Sequence, residues 1–119
     1  MEKMTLKLRN ELDDYIDERS NFTPYYEGMN IVFSSLYKKQ LQEIEKLLET
    51  DKVDVKYFKM YLDTIIINMH TKAKKYKQSV YFQNEDINIK DIDNQGYTIV
   101  FYSDEKKNIY VLLGIIKKS

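Results

Sequence analysis

Residues 96–119 read GYTIVFYSDEKKNIYVLLGIIKKS, and their pattern is the basis of the fold prediction. Two apolar runs, GYTIVFY (96–102) and IYVLLGII (109–116), flank a short charged segment, which is typical of a β-hairpin. The second run is apolar on both faces, which predicts a central strand that is covered on both sides. The run ends on two lysines, and these are either a solubilising cap against strand pairing or part of a functional site.

The strand pattern, in which side chains alternate with a period of two residues, begins earlier in the chain. SVYFQ (79–83) and INIKDI (87–92) are strand-like runs separated by polar turn residues. Together with the final hairpin, they predict an antiparallel meander of three or four strands.

Helical spacing precedes the meander. Apolar residues between Thr5 and Arg19 recur at the spacing of an amphipathic helix. MNIVFSS (29–35) predicts a short strand, and its serines can cap a helix over residues 36–49. Asp54 can cap a longer helix, whose apolar stripe runs from Val55 to Tyr76.

These elements predict an α+β fold, in which two or three helices pack on one face of a three- to five-stranded antiparallel sheet. The chain has the length of one domain. The segment SNFTPYYEGMN (20–30) holds the only proline and predicts a connector. We therefore divide the chain into an acidic N-terminal helix and connector, residues 1–28, and an α+β domain, residues 29–119.

Charge is balanced over the whole chain, with 19 basic and 19 acidic residues. This balance argues against a protein that holds nucleic acid by bulk charge alone. Residues 1–28 carry four cations and seven anions, a net charge of −3, so residues 29–119 carry +3. Arg9 and Arg19 are the only arginines. Residues 29–119 therefore have lysine alone for binding phosphate, without the planar fork of arginine.

Several kinds of site have no support in the sequence. There is no cysteine and a single histidine, His70, which excludes thiolate and multi-histidine metal sites. No nucleotide-binding glycine motif is present, and we expect no cofactor. His70 is interpreted as a partly exposed helix residue, with a general base as the alternative. Without a signal peptide or an apolar run of membrane-spanning length, the sequence predicts a cytoplasmic protein with no membrane partner.

Two polar motifs have competing interpretations. DIDNQG (91–96) resembles the start of a calcium loop, but Tyr102 stands where that loop needs a glutamate, so a hairpin turn is favoured. HTKAKKYKQS (70–79) groups four lysines around one tyrosine. The lysines either offset the negative end of a helix dipole or bind nucleic-acid phosphate while the tyrosine stacks on a base. The residues of this candidate nucleic-acid-binding cluster are Lys72, Lys74, Lys75, Tyr76 and Lys77.

The ending also carries a family resemblance. A strand that begins Gly96-Tyr97 leads through an acidic turn into an apolar strand that ends in Lys117 and Lys118. In this pattern, and in the order strand, helix, helix, meander, residues 29–119 resemble the RelE/ParE superfamily of bacterial toxins. The resemblance implies a RelE-like fold and a toxin neutralised by a cognate antitoxin protein. RelE-like members cut messenger RNA, often at the ribosome, by helping a 2′-hydroxyl attack the adjacent phosphate, whereas ParE-like members inhibit gyrase.

Site residues follow from the resemblance by position. Lys117 and Lys118 match the basic cluster after the last strand, Lys90 falls close to a lysine on an earlier strand, and Tyr97 would position substrate. Thr98 stands where the family commonly has arginine. The resemblance therefore implies an mRNA endoribonuclease or a degenerate relative of one, with mRNA and the ribosome as partners. The alternative is a non-enzymatic inhibitor, encoded by a phage or mobile element, that binds a host protein.

Overall fold

Helices form most of the first half of the chain, and the longer strands form the last third. The computed structural model describes residues 2–19, 22–26, 28–51, 54–83, 85 and 88–118, without the side chains of Glu2 and His70. Both interpretations of His70 therefore lie outside the described side chains. The helices are α1 (Glu2–Ile16), α2 (Ser35–Thr50), α3 (Val55–Ile67) and the short α4 (Met69–Lys72). The strands are β1 (Thr23–Pro24), β2 (Ile31–Phe33), β3 (Lys77–Gln78), β4 (Ile89–Asn94), β5 (Tyr97–Asp104) and β6 (Ile109–Lys117).

The strands of the described residues form one mixed sheet in the order β1-β2-β6-β5-β4-β3. The β2 strand runs parallel to β6, and the other pairs are antiparallel. The predicted α+β class is confirmed, but the prediction of a purely antiparallel sheet with three to five strands is wrong. After β2, the chain passes through α2 and α3 and returns to the end of the sheet at which β2 stops. From there β3, β4, β5 and β6 alternate in direction, which makes β6 parallel to β2. The two additional strands, β1 and β3, have two residues each and are too short to show an alternating pattern.

Both faces of the sheet are covered. The prediction that two helices pack on one face agrees with the positions of α2 and α3, and the N-terminal helix, predicted as an extension, covers the other face. On the first face, α2 and α3 pack against a cluster that includes Phe101 and Leu112. On the second face, Leu8 and Leu12 of α1 pack against Val111 and other strand residues. The physical reason is the two-sided apolar pattern of β5 and β6, because the side chains of successive strand residues point to opposite faces. The division at residue 28 stays a prediction.

The long predicted helix is interrupted at Asn68. Here α3 ends, and the chain continues through α4 and a 3-10 turn, Ala73–Lys75. The Asn68 side-chain amide donates to the Thr64 carbonyl oxygen at 2.8 Å, and the Thr64 hydroxyl donates to the Met60 carbonyl oxygen at 2.9 Å. Such bonds compete with the backbone pattern of a helix. The apolar stripe nevertheless persists, since Met69 and Ala73 stay in the cluster of the first face.

The predicted strand SVYFQ (79–83) is a 3-10 turn, Val80–Phe82, that follows β3. Polar side chains accept hydrogen bonds from the N–H groups that a strand would use for pairing. The Ser79 hydroxyl accepts from the Tyr81 N–H at 3.2 Å, and an Asp91 carboxylate oxygen accepts from the Val80 N–H at 3.0 Å. Phe82 is thereby directed into the second face, where it is buried.

Side chains of the β2–α2 segment complete the hydrogen bonding of β6. The Ser34 hydroxyl donates to the Leu113 carbonyl oxygen at 2.7 Å and accepts from the Tyr37 N–H at 3.0 Å, capping α2. Two turns further along this helix, the Gln40 carbonyl oxygen accepts from the Ile115 N–H at 2.9 Å. Where β2 ends, α2 therefore takes over the exposed edge of β6, so that this edge does not remain open for pairing with another chain.

Replacing Leu12 by alanine tests whether α1 belongs to the core. Leu12 is 1% exposed, so L12A should lower the free energy of unfolding by about 2–5 kcal/mol through lost burial and a cavity. The matched control on the same helix is Leu6, which is 59% exposed, and L6A should change it by less than about 0.5 kcal/mol. Urea unfolding followed by circular dichroism measures both. Equal effects of the two variants would contradict the packing of α1 on the second face.

Candidate functional site

The β4–β5 turn positions most of the candidate site. Gln95 and Gly96 both have positive φ, 54° and 83°, as a tight two-residue hairpin requires. The hairpin interpretation of DIDNQG is thereby confirmed. Beside the turn, the Lys118 N–H donates to the Gly96 carbonyl oxygen at 2.8 Å. This bond extends the pairing of β6 beyond its last strand residue and holds the Lys117–Lys118 backbone against the turn.

On the first face of the sheet, Tyr97 and Lys117 lie directly opposite each other on β5 and β6. The Tyr97 ring packs edge to face on Phe58 of α3, with 5.4 Å between ring centroids. This contact fixes the ring of a half-buried tyrosine, while Lys117 is exposed. A rigid aromatic ring beside an accessible ammonium group is an arrangement that can hold a phosphate and the nucleoside attached to it.

On the second face, Lys118 is neutralised by an aspartate. Its ammonium nitrogen lies 3.3 Å from a carboxylate oxygen of Asp93, and the other oxygen of Asp93 accepts from the Thr98 hydroxyl at 2.6 Å. The Thr98 bond, and after it Lys118, hold the pKa of Asp93 below its usual range. The side chains of the two predicted site lysines therefore lie in different surroundings, as expected for neighbours at the end of one strand.

A second aspartate stands beside Asp93 on the same face. Asp91 is half-buried and lies opposite Lys77 on β3, and burial raises its pKa. Tyr81 lies close to both carboxylates, and its pKa is raised by burial first and by the two aspartates next. Two carboxylates with pKa values displaced in opposite directions are a pattern found where one group accepts and another donates a proton.

The sequence pattern around these aspartates favours a hairpin turn, with a calcium loop as the alternative, and it does not connect Asp93 with Lys118 or Thr98. The spacing of Asp91 and Asp93 was the available signal, because residues i and i+2 of a strand share a face. Their pairing with Lys118 and Thr98 depends on the register of β4, β5 and β6, which no single stretch of sequence contains.

Lys90 does not join this group. It lies on β4 opposite Phe101, four residues before Asn94, which corresponds to about 13 Å along the strand. Lys90 instead shares a cavity of about 490 Å³ with Lys74, near Asp104 and Tyr110. The lysines of the predicted site therefore occupy two ends of the sheet.

The residues of the candidate nucleic-acid-binding cluster also do not form one group. Lys72 and Lys75 are exposed, Lys74 lines the cavity with Lys90, and Lys77 lies on β3 near Asp91. The Tyr76 ring packs edge to face on Phe101 at 5.9 Å, and burial raises its pKa. Its half-buried ring contributes to the core of the first face, as the packing interpretation expected.

Comparison with protein-family models, with curated proteins and with solved structures finds no match to this chain. Among the described residues, no helix combines the length and the apolar character needed to cross a lipid bilayer. The same residues contain no group of three or more histidine, cysteine, aspartate or glutamate side chains arranged to hold a metal ion.

The two aspartates should titrate in separate pH ranges. We expect Asp91 to lose its proton above the usual aspartate range and Asp93 below it, and the carboxyl ¹³C resonances measure both. T98V should raise the pKa of Asp93, because the Thr98 bond contributes most to lowering it. A folded pKa below the unfolded one means that Asp93 stabilises the fold above its unfolded pKa, and this contribution is lost as the pH falls through its folded pKa.

Valine is the matched replacement for Thr98, because it retains the shape and removes the hydroxyl. An unchanged Asp93 titration in T98V would contradict the 2.6 Å bond as the main cause of its low pKa. Asp91 provides the internal control, because its pKa is raised by burial and should move little in the same variant.

Proposed function

We propose that this protein is the toxin of a toxin-antitoxin pair and cleaves RNA. The observation that carries the proposal is the juxtaposition of Tyr97 and Lys117, with Lys118 on the next residue, at the end of the sheet formed by the β4–β5 turn. An aromatic ring held by α3 and an exposed ammonium opposite it suit a nucleotide and its phosphate. The element order between β2 and β6 is the order that the sequence shares with the RelE/ParE superfamily.

The reaction is attack of an RNA 2′-hydroxyl on the adjacent phosphate. The 2′-oxygen forms a new bond to phosphorus as solvent water takes its proton, and the bond to the 5′-oxygen breaks as that oxygen gains a proton from solvent water. The products are a 2′,3′-cyclic phosphate and a 5′-hydroxyl. Negative charge grows on the phosphoryl oxygens in the transition state, so a preorganised ammonium group lowers its energy more than that of the bound substrate.

The roles of the lysines differ in this proposal. Lys117 is exposed, and among the described residues no carboxylate lies within 4.0 Å of its ammonium nitrogen. It would therefore interact directly with the scissile phosphate, while Tyr97 positions the neighbouring base. Lys118 would bind phosphate only after separating from Asp93, so its contribution is expected to be smaller. Lys90 and Lys74, which line one cavity at the other end of the sheet, would contact the RNA away from the cleaved phosphate.

The partner proposed for the toxin is an antitoxin encoded beside it. A short reading frame that abuts this one should relieve growth arrest when the two are expressed together. The same co-expression distinguishes the proposal from the alternative of a phage or mobile-element inhibitor, which needs no neighbouring antitoxin.

The alternative, a non-enzymatic inhibitor of a host protein, has its own supporting observation. Asp93 neutralises Lys118, and the arginine common in the family is replaced by Thr98, which here bonds to Asp93. These contacts reduce the positive potential that RNA would meet. A stoichiometric host protein recovered with the purified chain, in the absence of RNA cleavage, would favour this alternative.

A third possibility, in which the N-terminal helix packs on the sheet and masks the site, has less support. Leu8 and Leu12 of α1 are buried in the core of the second face, whereas Tyr97 and Lys117 lie on the first face. Removing residues 1–28 would therefore expose core side chains, and loss of folding is the expected result rather than new RNA binding.

Substitution of Lys117 tests the proposal. With a defined RNA, alone or on a translating ribosome, K117A should lower the cleavage rate about 100-fold, in the range found when one preorganised donor is removed. K118A should lower it about tenfold or less, because Asp93 already holds that ammonium. Both variants should relieve growth arrest on expression in proportion. Mass spectrometry identifies the two product ends, a 2′,3′-cyclic phosphate and a 5′-hydroxyl.

The matched control is K106A, an exposed lysine in the β5–β6 turn at the opposite end of the sheet, which should leave cleavage unchanged. An RNA with 2′-deoxyribose at the cleaved position should resist cleavage. The ribonuclease proposal fails if the wild-type chain is harmless on expression and cuts no RNA, or if K117A and K118A act like wild type.

A further inference from the structure

A separate cleft opens between α2, α3 and the β1–β2 segment. Its volume is about 320 Å³, the lower end of the range for small-molecule sites. Four aromatic rings and two carboxylates line it: Tyr25, Tyr26, Phe33, Tyr37, Glu45 and Asp63. We call this the tyrosine cleft. Neither Lys117 nor Tyr97 lines it, so its role is independent of the proposed RNA site.

The aromatic rings form successive walls of the tyrosine cleft. Tyr25 packs nearly perpendicular to Tyr26 at 4.8 Å and to Phe33 at 6.0 Å between centroids. The Phe33 ring lies 5.9 Å from that of Tyr37 at a tilt of 47°. In an edge-to-face pair the edge of one ring covers a face of the other, and the ring faces that remain uncovered can attract a cation.

Negative charge lies on the same surface. The Tyr25 hydroxyl donates to the Asp63 carboxylate. Among the residues described, no lysine or arginine lies within 4.0 Å of Asp63, whereas Glu45 is paired with Lys59 at 3.6 Å. Lys59 and the exposed Lys38 also line the cleft, so its charged side chains are two lysines and two carboxylates. Of the two carboxylates, Asp63 is the one that has no cation within 4.0 Å among the described residues.

The Tyr37 hydroxyl is one of four buried side-chain polar groups that have no hydrogen-bond partner among the described residues, and of these four residues only Tyr37 lines the cleft. Tyr37 is 1% exposed, and its oxygen has no hydrogen-bond partner among the described residues. Burial raises the pKa of Tyr37, with Asp63 and Glu45 adding to the effect, so the hydroxyl stays neutral in a negative potential. An unsatisfied buried hydroxyl is costly, and a ligand that donates a hydrogen bond to it would remove that cost.

We propose that the tyrosine cleft binds an alkylammonium group, either of a free amine or of a lysine side chain. The aromatic faces attract the cation, Asp63 balances its charge, and an ammonium N–H donates to the Tyr37 oxygen. A cleft of 320 Å³ exceeds the space of a single water, about 30 Å³, and accommodates a short alkyl chain behind the ammonium. An anion would be repelled by Asp63, and a neutral alcohol would leave this charge uncompensated.

The test is an NMR titration of the full ¹⁵N-labelled chain with three probes: butylammonium, tetramethylammonium and 1-butanol. Both cations should produce saturable shifts at residues that line the tyrosine cleft, and 1-butanol should bind at least about tenfold more weakly. A capped lysine amide distinguishes the sources of the group. Binding of the capped lysine supports a lysine side chain as ligand, and binding of butylammonium alone supports a free amine.

Two variants separate the contribution of the Asp63 charge to cation binding from that of the Tyr37 hydroxyl. D63N should weaken both cations about tenfold, because it removes the charge and retains an acceptor for Tyr25. Y37F should weaken butylammonium about threefold to tenfold and leave tetramethylammonium unchanged, because only the former has an N–H to donate. Y57F on the outer surface of α3, where Tyr57 is 60% exposed, is the matched control and should change neither.

The midpoint of thermal unfolding monitors folding. Y37F should maintain or raise this midpoint, because the variant removes an unsatisfied hydroxyl. The proposal is overturned if 1-butanol binds as tightly as the cations, if D63N binds them like wild type, or if no probe produces saturable shifts at the cleft.

Discussion

The rest of the structure depends on the position of β6 in the middle of the sheet. Val111 and Leu113 point into one core cluster and Leu112 and Ile115 into the other, so this strand can be buried only with cover on both faces. Gly114 shows how closely that cover approaches. A Cβ at this position would lie 2.8 Å from a Gln40 side-chain atom and 2.8 Å from one of Leu8, so α1 and α2 meet over the same residue. A side chain at this position would have to displace the ends of the Gln40 and Leu8 side chains.

The arrangement of the candidate site follows from this core. Because β6 must stay extended and paired up to Lys117, its last residues are carried to the β4–β5 turn, where Gly96 accepts the Lys118 N–H. The strand alternation then separates the surroundings of two adjacent lysines. Lys117 stands opposite the ring of Tyr97, and Lys118 meets Asp93, whose other oxygen is held by Thr98. Two lysines that look equivalent in sequence therefore have different electrostatic roles.

The second cleft has a different origin. Tyr37 is brought next to Phe33 because Ser34 ends β2 and caps α2 within one turn, and α3 then brings Asp63 to the hydroxyl of Tyr25. Most of the hydroxyls in this tyrosine-rich chain serve as the polar ends of rings packed at the edge of the core. The Tyr37 hydroxyl is fully enclosed without a partner, which is why the tyrosine cleft, rather than the larger and more polar cavities near the β5–β6 turn, provides a specific ligand hypothesis.

Local periodicity and turn chemistry were enough to predict the α+β class, the final hairpin, the glycine turn at residue 96 and the central place of β6. The resemblance in the sequence also named Tyr97, Lys117 and Lys118 as candidate site residues, and the register of β5 and β6 places Tyr97 opposite Lys117. Tertiary structure alone decided that α1 covers the second face, that β2 pairs parallel to β6, that Lys90 lies apart from the other lysines, and that Asp93 neutralises Lys118. Each of these depends on contacts between residues distant in the chain, and the free energy of such contacts comes from shared burial and paired charges, which no local stretch of sequence contains.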